Sequence, residues 1–189
     1  IYGDNASGKS NLGLAILDIA THLTDANFNE KEYKPYLNLD ENLGYASFEY
    51  QFKFGEDTVQ YNYKKTDYAV VSDECLYINN ELVIESTSDK KTVNLAGAET
   101  LKIDTLRTDI SLIKLIKSNA NLSTNDNQVD VFLNFISFVE SMLSFDSVLG
   151  HHYQGFTSGV SSITSEIIAM NKVNDYQKFL SDLGINYNL

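Results

Sequence analysis

The segment Gly3-Asp4-Asn5-Ala6-Ser7-Gly8-Lys9-Ser10 constrains the chain more than any other. It has the spacing of a phosphate-binding loop: Gly, four residues, Gly-Lys, then Ser or Thr. A polyphosphate needs several backbone N–H groups converging on it, so the loop must curl with little side-chain hindrance. Gly3 and Gly8 permit that curl. Lys9 then brings a point charge to the β- and γ-phosphates, and the Ser10 hydroxyl is placed to ligate Mg²⁺. A helix starting near Lys9 would turn its positive dipole end toward the same anion.

The motif calls for a buried strand before it and a helix after it. The helix is legible. Leu12, Ala15, Ile16, Ile19 and Leu23 recur at three- and four-residue steps and predict one apolar face, with Asn11, Asp18 and His22 at polar positions. Only Ile1 and Tyr2 precede Gly3, whereas a strand usually has about five or six residues. The chain is therefore expected to be a fragment, truncated before its first strand is complete.

The run Gly3 to Leu12 resembles the Gly-x-Asn-Gly/Ala-Ser/Ala-Gly-Lys-Ser-Asn form of the ABC-type ATPase heads. Within these it looks most like the SMC, RecF and OLD-like branch, which includes bacterial AAA-type ATPases of abortive-infection and anti-phage systems. Asn5 and Asn11 carry the preference for this branch. The resemblance implies that Gly3, Asp4, Asn5, Ala6, Ser7, Gly8, Lys9, Ser10 and Asn11 surround the phosphates of ATP. Lys9 would be the catalytic cation and Ser10 the Mg²⁺ ligand. It also implies a homodimer of heads that sandwiches ATP, with hydrolysis driving the partners apart to control an effector protein. The implied fold is α/β with α+β character: the first lobe of a P-loop NTPase, truncated, with an antiparallel β-subdomain and a helical insertion.

Composition narrows the partners. The net charge is −12, from 14 Lys and Arg against 26 Asp and Glu, so a nucleic-acid backbone would on average be repelled. The pairs Lys64-Lys65 and Lys90-Lys91 read as solvated surface. No apolar run approaches the roughly 20 residues that span a bilayer. Cys75 is the single cysteine, which rules out an internal disulfide, fits a cytoplasmic protein and reads as a small buried hydrophobe.

Along the chain, Thr24 to Leu43 is a polar stretch holding the only proline, Pro35. From Tyr45 the period changes: Ala46, Phe48, Tyr50, Phe52 and Phe54 alternate with polar residues, as in a half-buried antiparallel strand. Gly55-Glu56-Asp57 predicts a turn, and Val59, Tyr61 and Tyr63 predict the returning strand. Further strands are expected around Tyr68 to Val71, Cys75 to Ile78, Leu82 to Ile84 and Thr92 to Leu95, with a hairpin turn at Asn79-Asn80-Glu81. From about Thr105 the periodicity is helical. One helix carries Leu106, Ile110, Ile113 and Ile116, a second runs from Val129 to about Phe145, and a last one from Val173 to Leu183. Gly150 to Gly159 reads as a loop. The expected division is 1–104, holding the loop, first helix and β-meander, and 105–189, a helical insertion.

Several residues imitate catalytic motifs. Tyr68 to Glu74 resembles a strand ending in the acids of an ATPase, but Ser72 breaks the apolar run, so Asp73-Glu74 reads as a turn between strands. His151-His152 are adjacent in a Gly-flanked segment and read as surface residues, since metal sites favour spacings that bring both rings to one side. Gln51 and Gln60 are both candidates for the Mg²⁺-sensing glutamine of ABC heads, and position does not choose between them. The acidic strand and the signature loop of such heads are expected beyond the end of this chain, so the chain alone is expected not to hydrolyse ATP. Two other readings remain: a non-catalytic folded interaction module with an unsupported loop, and another P-loop enzyme such as a kinase. Arg107 is the only arginine, which counts against the kinase.

Overall fold

The computed structural model describes residues 9–24, 43–67, 70–101, 103, 110–123, 125–146, 152–155, 167–182 and 184. It is a mixed α/β structure built around a five-stranded antiparallel sheet. Helix α1 (Lys9–Leu23) comes first, followed by strands β1 (Ala46–Phe54), β2 (Asp57–Asp67), β3 (Val70–Ile78), β4 (Glu81–Ser86) and β5 (Lys91–Val93). These strands lie side by side in sequence order. Then come α2 (Leu112–Asn119), α3 (Asn127–Glu140), a hairpin of β6 (Leu143–Asp146) and β7 (His152–Gly155), and α4 (Val173–Asp182). The antiparallel meander matches its expected alternation.

Turn chemistry sets the register. Gly55, at φ +64°, lets β1 reverse into β2 so that Phe54 faces Asp57. At the β3–β4 turn Asn79 and Asn80 have φ of 51° and 66°, the double positive φ of a type I′ hairpin, which asparagine tolerates. Asn79 also ties this turn to the neighbouring one. Its Oδ1 accepts from the Thr58 N–H at 2.9 Å and its Nδ2 donates to Asp57 at 2.8 Å.

One face of the sheet builds the core. Val59, Tyr61 and Tyr63 of β2, Leu76 and Ile78 of β3, and Val83 and Ile84 of β4 are buried with Ile19, Ala20 and Leu23 of α1. The same cluster takes in Leu112, Ile113 and Ile116 of α2 and Val129, Phe132, Phe135 and Val139 of α3. Helices α2 and α3 thus share one core with α1 and the sheet, across the expected boundary at 104/105. Phe52 packs against Phe135 in a tilted arrangement and against Phe138 edge-on, with ring centroids 5.4 and 5.5 Å apart, the latter a geometry that aromatic pairs favour.

Five expectations need correction. The helix begun at Val129 stops at Glu140, not near Phe145, and Leu143–Asp146 pairs instead with His152–Gly155. The segment read as a loop from Gly150 therefore contains a strand. Asp73-Glu74 is no turn: both residues lie within β3, opposite Lys64 and Tyr63. The predicted face of α1 holds only in part: Ile19 and Leu23 are buried, but Leu12 and Ile16 are exposed and Asp18 is only 3 % exposed. Cys75 is half-buried, on the opposite sheet face from Leu76. Residues 1–8, most of the stretch from Thr24 to Leu43, Arg107 and His151 lie outside the described residues.

Gly97 joins the loop after β5 to the segment before α3. Its φ is +92°, and a β-carbon there would sit 2.1 Å from the Asn121 carbonyl oxygen. The backbone contact is tight because Ser123 N–H donates to the Ala96 carbonyl at 3.1 Å. Gly97→Ala is expected to destabilise the fold by about 2 kcal/mol or more, from overpacking plus an unfavourable φ. Chemical unfolding measures it; a loss below about 0.5 kcal/mol, the range of an ordinary surface change, would contradict the contact.

Candidate functional site

Lys9 and Ser10 are the first two residues of α1, and Asn11 follows as an exposed residue of the same turn. The Lys-Ser end of the motif thus lies in a 15-residue helix. The first N–H groups of any helix lack intrahelical partners, so this helix start offers donors next to a lysine and a hydroxyl-bearing residue. That donor set suits a Mg²⁺-bound polyphosphate. Gly3 to Gly8 lie outside the described residues. Among those described, no cluster of His, Cys, Asp or Glu has the make-up of a metal site.

The helix behind the loop is anchored by a buried polar network. The Lys65 Nζ lies 2.8 Å from Asp18 Oδ2, with the two side chains 0 % and 4 % exposed. The Tyr63 hydroxyl donates to the same carboxylate at 2.6 Å. Tyr50 completes the set: its hydroxyl donates to the Ala15 carbonyl at 2.5 Å and lies 3.3 Å from the Tyr63 hydroxyl. Burial pushes the Lys65 ammonium below its ordinary range, against the pull of Asp18. It pushes Tyr63 far above the ordinary phenol range, with the Asp18 charge adding to it, and Tyr50 up to about 12. The far end of α1 is closed by Thr24, whose hydroxyl donates to the Ala20 carbonyl at 2.6 Å, and by Lys114 of α2, which donates to the Thr24 carbonyl at 3.3 Å.

Sequence reasoning missed this network. Asp18 reads as a solvent position of an amphipathic helix, and Lys65 as half of a solvated basic pair. Lys64 does lie at the surface, 3.1 Å from Asp73. Lys65 does not. The available signal was phase: Lys65 continues the inward series Val59, Tyr61, Tyr63 along β2.

A second buried network surrounds Glu74. Its carboxylate accepts from the Tyr61 hydroxyl at 2.5 Å, the Ser111 hydroxyl at 2.6 Å and the Leu112 N–H at 2.7 Å. Ser111 caps α2 and also accepts from the Lys114 N–H at 3.2 Å. Burial raises the Glu74 carboxyl above its ordinary range, and the three donors oppose that rise. The groups around Glu74 account for it as a buried helix anchor.

The remaining candidates stand apart. Gln51 and Gln60 lie directly opposite each other on β1 and β2, and both side chains contact Glu49. Strand alternation puts them on the sheet face away from Tyr50 and therefore from α1. Burial and the neighbouring carboxylates of Glu85, Asp73 and Glu74 push the Cys75 thiol up, which disfavours a nucleophilic thiolate. No helix among the described residues is long and apolar enough to cross a membrane. Compared with protein-family models, curated proteins and solved structures, the chain matches none.

Proposed function

We propose that this chain is the nucleotide-binding portion of an ATPase of the SMC/OLD-like ABC type, with a P-loop NTPase lobe that the antiparallel sheet buttresses. The observation that carries the reading is the start of α1 at Lys9-Ser10, the residues that end the Gly-x4-Gly-Lys-Ser motif in the sequence. Lys9 would neutralise phosphate charge, Ser10 would hold Mg²⁺, and the start of α1 would turn its free N–H groups toward the same anion. Bound Mg²⁺-ATP supplies the phosphoryl group and the charge that these residues organise. In the intact protein two such heads close on nucleotide in the cytoplasm and control an effector, as the resemblance to SMC/OLD-like heads implies.

Calorimetric titration with Mg²⁺-ATP tests the reading. Saturable binding by the wild-type chain is expected, and Lys9→Ala is expected to weaken it at least about tenfold, as loss of a charge-assisted contact of roughly 1.5–3 kcal/mol implies. In the intact protein the same variant is expected to abolish turnover. Absence of wild-type binding, or an unchanged Lys9→Ala, would favour the second reading, an interaction module whose loop does not hold nucleotide. That alternative draws support from the single core shared by sheet and helices, which accounts for folding without a ligand.

A further inference from the structure

Helix α1 is held against the sheet in two different ways along its length. Near its C-terminal end the contacts are apolar: Ile19, Ala20 and Leu23 are all buried. Toward the loop, Leu12, Leu14 and Ile16 are 45 %, 38 % and 49 % exposed, and Leu17 is only partly buried against the core. The sheet grips the middle of the helix through polar atoms: Ala15 carbonyl by Tyr50, and Asp18 by Tyr63 and Lys65. Apolar packing is non-directional. Hydrogen bonds and a buried ion pair impose both distance and angle.

We propose that Asp18 and Lys65, braced by Tyr63 and Tyr50, are positioning residues for the nucleotide-binding start of α1. They set the rotation and axial height of α1 so that Lys9 and Ser10 meet the nucleotide in register. The proposal rests on the nucleotide-binding reading above. Asp18 stands roughly 13 Å along the axis from Lys9, and the continuous helix between them transmits the constraint. Small displacements matter at such a site: a shift of about 1 Å costs on the order of a hundredfold where reacting groups must be aligned. Stability alone does not call for this arrangement, because well-packed apolar residues in place of a buried ion pair are often neutral or stabilising. The pair's distinctive property is geometric.

The test replaces the pair with apolar residues, Asp18→Leu/Lys65→Met, in the full 189-residue chain. Thermal unfolding, Mg²⁺-ATP calorimetry and backbone amide exchange are then measured together. The double variant is expected to lose some stability, because the Tyr63 hydroxyl gives up its carboxylate acceptor, yet to stay folded and bind Mg²⁺-ATP about tenfold more weakly or worse. Its Leu12 to Leu17 amides are expected to exchange faster without nucleotide, while those of β2 and β3 stay protected. Wild-type affinity together with wild-type exchange in α1 would overturn the proposal and leave the pair a stability element. If the wild-type chain binds no Mg²⁺-ATP, the nucleotide reading falls, and unchanged exchange in α1 still overturns the positioning role. Should the double variant not fold, Tyr50→Phe decides, since it removes a single hydroxyl, the one that bonds Ala15 and lies beside the Tyr63 hydroxyl. Faster α1 exchange with a severalfold weaker Mg²⁺-ATP affinity is expected, and no change in either overturns the assignment.

Discussion

Glu74→Ala is expected to destabilise the protein by about 3–5 kcal/mol, a large share of the roughly 5–15 kcal/mol that holds a typical domain folded. The substitution removes the carboxylate that accepts from the Tyr61 hydroxyl, the Ser111 hydroxyl and the Leu112 N–H together. Tyr61 is fully buried and Ser111 is 3 % exposed, so bulk water does not replace the carboxylate without opening the core. Each buried donor left unmade costs about 1–3 kcal/mol. Glu74→Gln should fall between the two: its amide oxygen still accepts, but its NH₂ group meets one of the three donors. Urea unfolding read by far-UV circular dichroism measures all three proteins. A loss under about 1 kcal/mol for Glu74→Ala would show that the carboxylate does not anchor α2.

Alkaline pH is expected to unfold the protein steeply. Burial holds the Tyr61 hydroxyl well above its ordinary value of 10.0, with the Glu74 charge reinforcing it. Tyr63 is raised in the same direction by burial and Asp18, and Tyr50 reaches about 12. The folded state therefore keeps protons that the unfolded chain releases above pH 10.0. Stability from such groups is fully present below that pH and is lost as pH rises toward their folded values. Each contributes a slope of about 1.4 kcal/mol per pH unit, so the three together approach roughly 4 kcal/mol per unit. Lys65 acts in the opposite direction. Burial lowers it from 10.5, so it adds stability as pH rises toward 10.5 and has nothing left to add above it. The descent should accordingly sharpen just past that point. Urea midpoints between pH 9 and pH 12, together with phenolate absorbance, test the expectation. A flat profile would mean that these tyrosines ionise in the folded protein as freely as in the unfolded chain.

The sheet was readable because alternation and turn chemistry act locally. Phe48, Tyr50, Phe52 and Phe54 name one face of β1, and Asn79-Asn80 names its own turn. The start of α1 at the Gly-Lys-Ser motif was legible for the same reason. The anchoring of the site was not. Asp18 and Lys65 are far apart in the chain, and each is charged, so each locally favours water; only the tertiary pairing makes burial tolerable. Glu74 misleads in the same way, since the hydroxyls that receive it come from β2 and from the cap of α2. The end of α3 failed for a different reason. Met142, Leu143 and Phe145 continue a helical apolar pattern, but Ser141 closes the helix, its N–H shared among the Ser137, Phe138 and Val139 carbonyls, and the following residues satisfy their backbone in the β6–β7 pairing.

The Glu74 anchor also bears on the order in which the molecule assembles. Helix α2 has 8 residues, below the roughly 12–15 at which even favourable isolated helices become marginal in water. The acceptor for its Leu112 N–H is supplied by a strand residue separated from it by 38 positions. Closing that span carries an entropic cost before the contact returns anything. Helix α2 therefore gains its anchor only once β3 has paired with β2 and brought Glu74 beside Tyr61. Strand β3 and helix α2 are accordingly expected to open together, which native-state amide exchange measures as matching protection in the two elements.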